Sequence, residues 1–350
     1  MRFSSLWRCA PVWAPALAGI IAPKSPPRPG PVGHPVASPG HPHVNPLLLA
    51  VQRLLFSSLT WLIAIQPNPA ALRRWCLFMA AVMRPFGGAW RRLVRRNLRL
   101  VYGDTLSVEQ RRAIVRGVFE HSARGFGELF WLPQEHGMTV ADWCEVQGIE
   151  HLDAALAKGK GVLLATAHLG SWTLLPRYLR ERGETTGSLL RLPSNPVAHA
   201  AEADAVTRMG LTFFNTPLSR EHAHGCLKLL RGNGILFIVA DRRSADVKVD
   251  FLGQPAWCAT GTASLHLRTG AAIVPAYSVR VGSGHRLVFE PALDAASTGD
   301  RKADERAITA ELHRIFGRWV RQYPEQWMWN HNRWRPRRSE MREERNEHRA

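Results

Sequence analysis

Gly161–Ala167 reads Gly-Val-Leu-Leu-Ala-Thr-Ala, a short apolar run bounded by glycine and polar residues. Such a run, with no polar alternation, belongs to a strand buried on both faces, and therefore to a parallel sheet covered by helices. Further strand signals lie at Thr186–Leu192, Ile235–Asp241, Ala272–Arg280 and Leu287–Pro291. Helical stretches fall at Ser107–Phe130, Ile149–Ala157, Ala198–Met209, Glu221–Arg231, Thr260–Thr269 and Asp304–Gln322. This alternation predicts an α/β fold around a mostly parallel sheet flanked by helices. The chain has 350 residues, 45% of them apolar, which is ample for one large domain or two modest ones and excludes a disordered chain. Cys9, Cys76, Cys144, Cys226 and Cys258 stand far apart with no CxxC pair, so neither a disulfide scaffold nor a cysteine metal site is expected.

The formal charge of +18 is unevenly placed. Residues 1–103 carry thirteen basic groups and no acid, the first being Asp104. Such a block calls for an anionic partner: nucleic acid, an anionic membrane surface or an acidic protein. Residues 1–22 make a poor secretory signal, because Pro11, Pro15 and Arg8 break the apolar stretch. Nine prolines within residues 23–46 rule out helix and sheet ladders, so 1–46 reads as a disordered Pro-rich leader. Residues 47–66 are apolar for about a bilayer's width, interrupted only near one end by Gln52 and Arg53. They predict a membrane-anchoring helix or a deep interfacial anchor. Arg73, Arg74, Arg84, Arg91, Arg92, Arg95, Arg96 and Arg99 then alternate with Trp75, Leu77, Phe78, Trp90, Leu93 and Leu98. This pattern fits anionic headgroups on the cytoplasmic side of a membrane, with the folded domain facing the cytoplasm. Residues 67–336 read as the folded domain and 337–350 as a polar tail.

His168 is the first candidate for chemistry. It falls at the carboxyl end of a predicted buried strand, followed by Gly170 and a helix start, which is where open α/β sheets place their ligands. By position alone it reads equally as a reactive imidazole or as a core histidine satisfied by a backbone carbonyl. Arg191 suits a bidentate clamp on phosphate, against a surface ion pair. Asp241, ending a strand, suits an orienting acid or a turn cap. Trp327, Trp329 and Trp334, interleaved with His331, Arg333, Arg335, Arg337 and Arg338, suit a headgroup boundary better than a base-stacking surface.

His168-Leu-Gly170-Ser171-Trp172 resembles the HxGNWE block of the bacterial lipid A biosynthesis late acyltransferases, a branch of the lysophospholipid acyltransferase superfamily with the wider signature His-x4-Asp/Glu. Further blocks fall in the same order. Arg95-Arg96-Asn97-Leu98 resembles the family's RxNL stretch, and Gly127-Glu128 its GxE-type turn. Leu190–Pro196 resembles YRPxxNP, and Leu230–Gly234 through Ala240-Asp241-Arg242 resembles RxGGxxxxxxDQ. Phe251–Ala256 with Gly261 resembles FFGxPA...G, and Tyr323–Trp329 with Arg333 resembles YPxQWxWxHxR. The resemblance covers roughly residues 47–336.

It implies transfer of a fatty acyl chain from an acyl carrier protein or coenzyme A thioester to a hydroxyl of an anionic (glyco)lipid, probed first as a lipid A-type precursor. No cofactor and no metal are implied, the thioester being a co-substrate. His168 would be the base, with Gly170, Trp172, Arg191, Asn195, Arg231 and Asp241 as binding residues. The acid that should orient the histidine is replaced by Thr173, which can accept a hydrogen bond but carries no charge. Three readings follow. Another acid reaches His168 from a neighbouring loop, with Glu202, Asp204, Asp241 and Asp250 as candidates. Alternatively the enzyme is slow, relying on proximity and oxyanion stabilisation. The third is a catalytically impaired homologue that binds lipid without turnover.

Overall fold

The computed structural model describes residues 46–134, 136–295, 297–337 and 340. Four helices come first: α1 (Pro46–Ala64), α2 (Pro69–Met83), α3 (Gly88–Tyr102) and α4 (Val108–Trp131). The sheet region then runs β1 (Cys144–Gln147), α5 (Ile149–Leu156), β2 (Val162–Thr166), α6 (Leu174–Glu181), β3 (Thr186–Leu190), α7 (Pro196–Arg208), β4 (Thr212–Asn215), α8 (Arg220–Arg231) and β5 (Ile235–Val239). A hairpin of β6 (Arg243–Phe251) and β7 (Gln254–Cys258) follows, then α9 (Gly261–Thr269), β8 (Ala272–Val281), β9 (Gly284–Phe289) and α10 (Arg301–Gln322).

Seven strands make one sheet in the order β1-β9-β8-β2-β5-β3-β4, antiparallel only at β8–β9. The expected mostly parallel α/β sheet is what forms. All five residues of β2 are buried, and their alternation feeds two layers. Leu163 and Ala165 join Leu98, Val118, Leu230, Phe316 and Trp319 on one face, while Val162 and Leu164 join Phe130, Leu152, Leu175 and Leu179 on the other. Each fully buried Val or Leu contributes about 1.5–3 kcal/mol. Replacing one with a polar residue would therefore remove a large share of net stability.

Local capping explains several boundaries. Ser107 and Gln110 form a reciprocal capping box at the start of α4, Asn195 caps α7 through Val197 and Ala198, and Asp300 caps α10 through Lys302 and Ala303. The short strands β1 and β4 and the β6–β7 hairpin are not apparent from sequence. Their burial alternates or is partial, so they lack the continuous apolar signal of β2.

The membrane-spanning alternative for residues 47–66 needs correcting. Among the described residues no helix is long and apolar enough to cross a membrane. α1 instead lies against the body: Phe56 meets Phe126 and Phe130 edge-on at 5.7 and 5.5 Å, and Ile63 is buried. The apolar length read as a span is divided between this packing face and an opposite face exposing Leu47, Val51, Leu54, Leu55, Trp61 and Ile65. On α3, Val94, Asn97 and Leu98 are buried while Arg92, Arg95, Arg96 and Arg99 are exposed.

The C-terminal tryptophans are also placed differently from the headgroup-boundary reading. Trp327, Trp329 and Arg333 are all 1% exposed or less, because this block fills one core layer. Of the leader read as 1–46, residues 1–45 lie outside the described residues, as does most of the tail, while Pro46 begins α1. Glu340, which is described, accepts from Lys248 Nζ at 2.6 Å and Trp257 Nε1 at 3.0 Å.

Candidate active site

β2 and β5 are adjacent parallel strands in register, with Thr166 opposite Val239. The residues that follow them leave the sheet at the same carboxyl edge, so chain positions 168 and 241 meet although 73 residues separate them. His168 Nδ1 lies 2.6 Å from Asp241 Oδ1. The His168 backbone N–H donates to Asp241 Oδ2 at 2.9 Å, and Trp327 Nε1–H donates to the same oxygen at 2.8 Å. Burial alone would raise the Asp241 carboxyl; the imidazole and these hydrogen bonds outweigh it and hold the group well below the usual carboxylate range. An ionised carboxylate only accepts, so the proton between the pair sits on Nδ1. Nε2 then carries the lone pair, and it has no hydrogen-bond partner among the described residues. His168 keeps 17% of its side chain exposed while Asp241 keeps 1%.

The loop after His168 is fixed by its backbone. Gly170 has φ +56°, and a Cβ there would lie 1.8 Å from the Ser278 carbonyl oxygen, so only glycine fits. Its N–H donates to Gln326 O at 2.8 Å, and Ser171 N–H donates to Ser278 O at 3.2 Å. Both amides are therefore occupied and do not form an oxyanion hole. Trp172 stands edge-on to His168 with ring centroids 5.7 Å apart and stacks on Phe237.

Thr173 stands at the N-cap position just before α6, is buried, and its hydroxyl has no partner among the described residues. It makes no hydrogen bond to His168. Of the four candidate acids, Asp204 pairs with Arg208 at 2.9 Å on the exposed side of α7, and Asp250 accepts from Gly253 N–H in the hairpin turn. Glu202, on α7, has its carboxyl raised to about 7 by burial, against the pull of Arg242. Asp241 is the one that meets the imidazole.

Arg191 follows β3 directly, at the same carboxyl edge as His168, and is exposed. Arg242, next to Asp241, is exposed at the neighbouring strand end. Asn195 spends its carbonyl oxygen on the α7 cap. Arg231 ends α8 ahead of β5, whose five residues span roughly 17 Å at 3.3–3.4 Å each, so it stands at the opposite sheet edge from His168.

Sequence reasoning missed a buried polar cluster beneath the loop. Arg280 Nε and Nη2 donate to Glu128 Oε1 and Oε2 at 3.1 and 2.5 Å, and Nη1 contacts His121 Nδ1 at 3.1 Å. Ser171 Oγ bonds Glu128 and lies 3.2 Å from His285 Nε2. Burial opposes ionisation of Glu128, but Arg280 and then His285 hold its carboxyl far below the ordinary range. Burial, followed by Arg280, pushes His121 down to about 3, so it stays neutral. The GxE-type block pointed to Glu128; nothing in the sequence pointed to Arg280.

A mostly parallel sheet whose carboxyl edge carries an imidazole backed by an ionised carboxylate has the makings of a general base for a hydroxyl nucleophile. The chain belongs to the bacterial lipid A biosynthesis acyltransferase family, whose model matches residues 42–336. Among characterised proteins it is similar to a phosphatidylinositol mannoside acyltransferase of Mycobacterium tuberculosis, 31% identical over 59% of this chain and 66% of that protein. It also resembles the lipid A biosynthesis lauroyltransferase of Escherichia coli, 26% identical over 79% of this chain and 89% of the relative. The E. coli lipid A biosynthesis palmitoleoyltransferase is 24% identical over 74% and 83%. The chain thus spans just under two thirds of the length of the mycobacterial relative. The family and these relatives are acyltransferases.

Proposed function

We propose that the protein is an O-acyltransferase that moves a fatty acyl chain from an acyl carrier protein or coenzyme A thioester to a hydroxyl of an anionic glycolipid. The observation carrying this is the His168–Asp241 pair, which leaves Nε2 as a lone-pair base at the ligand-binding edge of the sheet. Nε2 takes the acceptor hydroxyl proton as the oxygen attacks the thioester carbonyl. The tetrahedral oxyanion then collapses, the C–S bond breaks, and the departing thiolate takes the proton back from the imidazolium. Asp241 stabilises that transient cation, a task Thr173 cannot perform. This favours turnover over lipid binding alone.

Arg191 and Arg242, exposed at adjacent strand ends, suit an anionic acceptor or donor phosphate. The relatives' names point to lipid A precursors and phosphatidylinositol mannosides as the acceptors to try first. The exposed apolar side chains of α1, α2 and the α2–α3 connection, among them Trp61, Phe78 and Phe86, together with the α3 arginines suit peripheral docking on the cytoplasmic face of an anionic inner membrane.

The test is transfer by the purified chain from acyl carrier protein and coenzyme A thioesters to each acceptor class, with the product identified by mass spectrometry. Wild type yields an acylated lipid and His168→Ala yields none. Near-normal turnover by His168→Ala would refute the mechanism. Failure of the full-length chain to bind anionic vesicles at low salt would refute the docking face.

A further inference from the structure

Trp327 is 1% exposed, and its indole N–H is spent on one oxygen of a carboxylate. We infer that Trp327 is a positioning residue for the base: it pins Asp241 so that Oδ1 faces His168 Nδ1. The inference rests on the His168–Asp241 reading above.

Asp241 Oδ2 receives two donors from fixed directions, the His168 amide and the Trp327 indole. Rotating the carboxylate away from Nδ1 would break both, along with the bond to the imidazole. Without the indole, Oδ2 keeps only one donor and the carboxylate is free to turn. The ring is itself held on several sides. Trp327 bridges Leu169, the residue next to His168, while Gln326 O accepts the Gly170 amide. The Gln326 side chain clamps the Arg280 backbone through both its N–H and its C=O, at 2.9 and 3.0 Å. Phe251 and Trp329 meet the indole edge-on at 5.5 and 4.8 Å. From α3, the buried Asn97 donates its amide to the Trp329 and His331 carbonyls at 2.8 and 2.9 Å. The segment around Trp327 is therefore tied to the β2 end, to β8 and to α3, and through Trp327 to Asp241. The neighbouring Trp329, equally buried, spends its N–H on a backbone carbonyl, Pro324 O at 2.7 Å, so of the two indoles only that of Trp327 reaches the carboxylate that meets His168.

Thiol release from a long-chain acyl-coenzyme A in the presence of the acceptor is followed for four forms of the full chain: Trp327→Phe, Trp329→Phe, Asp241→Asn and the Trp327→Phe/Asp241→Asn double variant. A hydrogen bond to a charged group is worth about tenfold or somewhat more in rate. Trp327→Phe should therefore lower kcat about tenfold with KM for both substrates within twofold, and move the acid limb of the kcat/KM profile to lower pH. Trp329→Phe, which loses an equally buried indole N–H, should leave that limb in place. On the Asp241→Asn background Trp327→Phe should cost nothing further. Site-specific replacement of Trp327 by its benzothienyl isostere removes the N–H at constant shape and should reproduce the tenfold loss if the phenylalanine variant does not fold. Wild-type kcat in the isostere, or a full tenfold loss added to that of Asp241→Asn, overturns the inference. If Asp241→Asn itself keeps wild-type turnover, the base reading fails instead.

Discussion

Replacing Asp241 with asparagine should reduce kcat/KM by about 10³–10⁴, equivalent to roughly 4–5 kcal/mol of barrier, by analogy with the orienting carboxylate of serine-protease triads. The reason lies in the donors around Oδ2. The His168 amide at 2.9 Å and the Trp327 indole at 2.8 Å both require an acceptor there, so the asparagine oxygen must take that position. Its NH₂ then faces His168 Nδ1 and donates to it, which moves the ring proton onto Nε2. The nitrogen that should receive the acceptor's proton is thereby blocked at every pH where the ring is neutral. Flipping the amide would set two buried N–H donors against an NH₂, at about 1–3 kcal/mol each, so the wrong tautomer prevails. The assay is acyl transfer with kcat and KM resolved, alongside thermal unfolding. Unfolding should change little, since the residue is isosteric and keeps two of its acceptor contacts. Activity within tenfold of wild type in a folded Asp241→Asn variant would show that the carboxylate does not set the tautomer.

The other expectations follow from the same geometry. Thr173→Glu, which from sequence alone reads as a restoration, should now be neutral or harmful, because Asp241 already occupies Nδ1 and position 173 is buried; a several-fold gain in kcat would contradict this. Glu128→Gln should destabilise the fold by about 3–5 kcal/mol by stranding Arg280, as read by denaturant unfolding, and an unchanged midpoint would rule that out. The folded-state pKa of Glu202 is raised to about 7 from the ordinary 4.5, so the folded state holds a proton that the unfolded chain releases. Stability is therefore lost as pH rises between those values, and Glu202→Gln should gain in melting temperature over wild type from pH 5 to pH 7 and then level off; a constant difference across that range would refute the assignment.

What the sequence could and could not reveal follows from the range of each signal. β2 and β5 announce themselves because runs of four and five consecutive apolar residues, bounded by glycine and polar residues, suit a strand buried on both faces, and that alone put His168 and Asp241 at strand ends. Their meeting depends on β2 and β5 being neighbours, a fact of strand order that no local pattern encodes, so Asp241 stood level with Glu202, Asp204 and Asp250 until the topology separated them. The same limit explains the arginines. Arg191 and Arg231 look alike in sequence, yet one follows a strand and the other precedes one, which places them at opposite edges of the sheet. The tryptophans and α1 misled in a different way. Composition cannot distinguish an apolar surface facing lipid from one facing protein, since both remove the same groups from water. For Trp327 the deciding fact is its partner: its indole N–H ends on the carboxylate that meets His168, and only the folded chain shows where it ends.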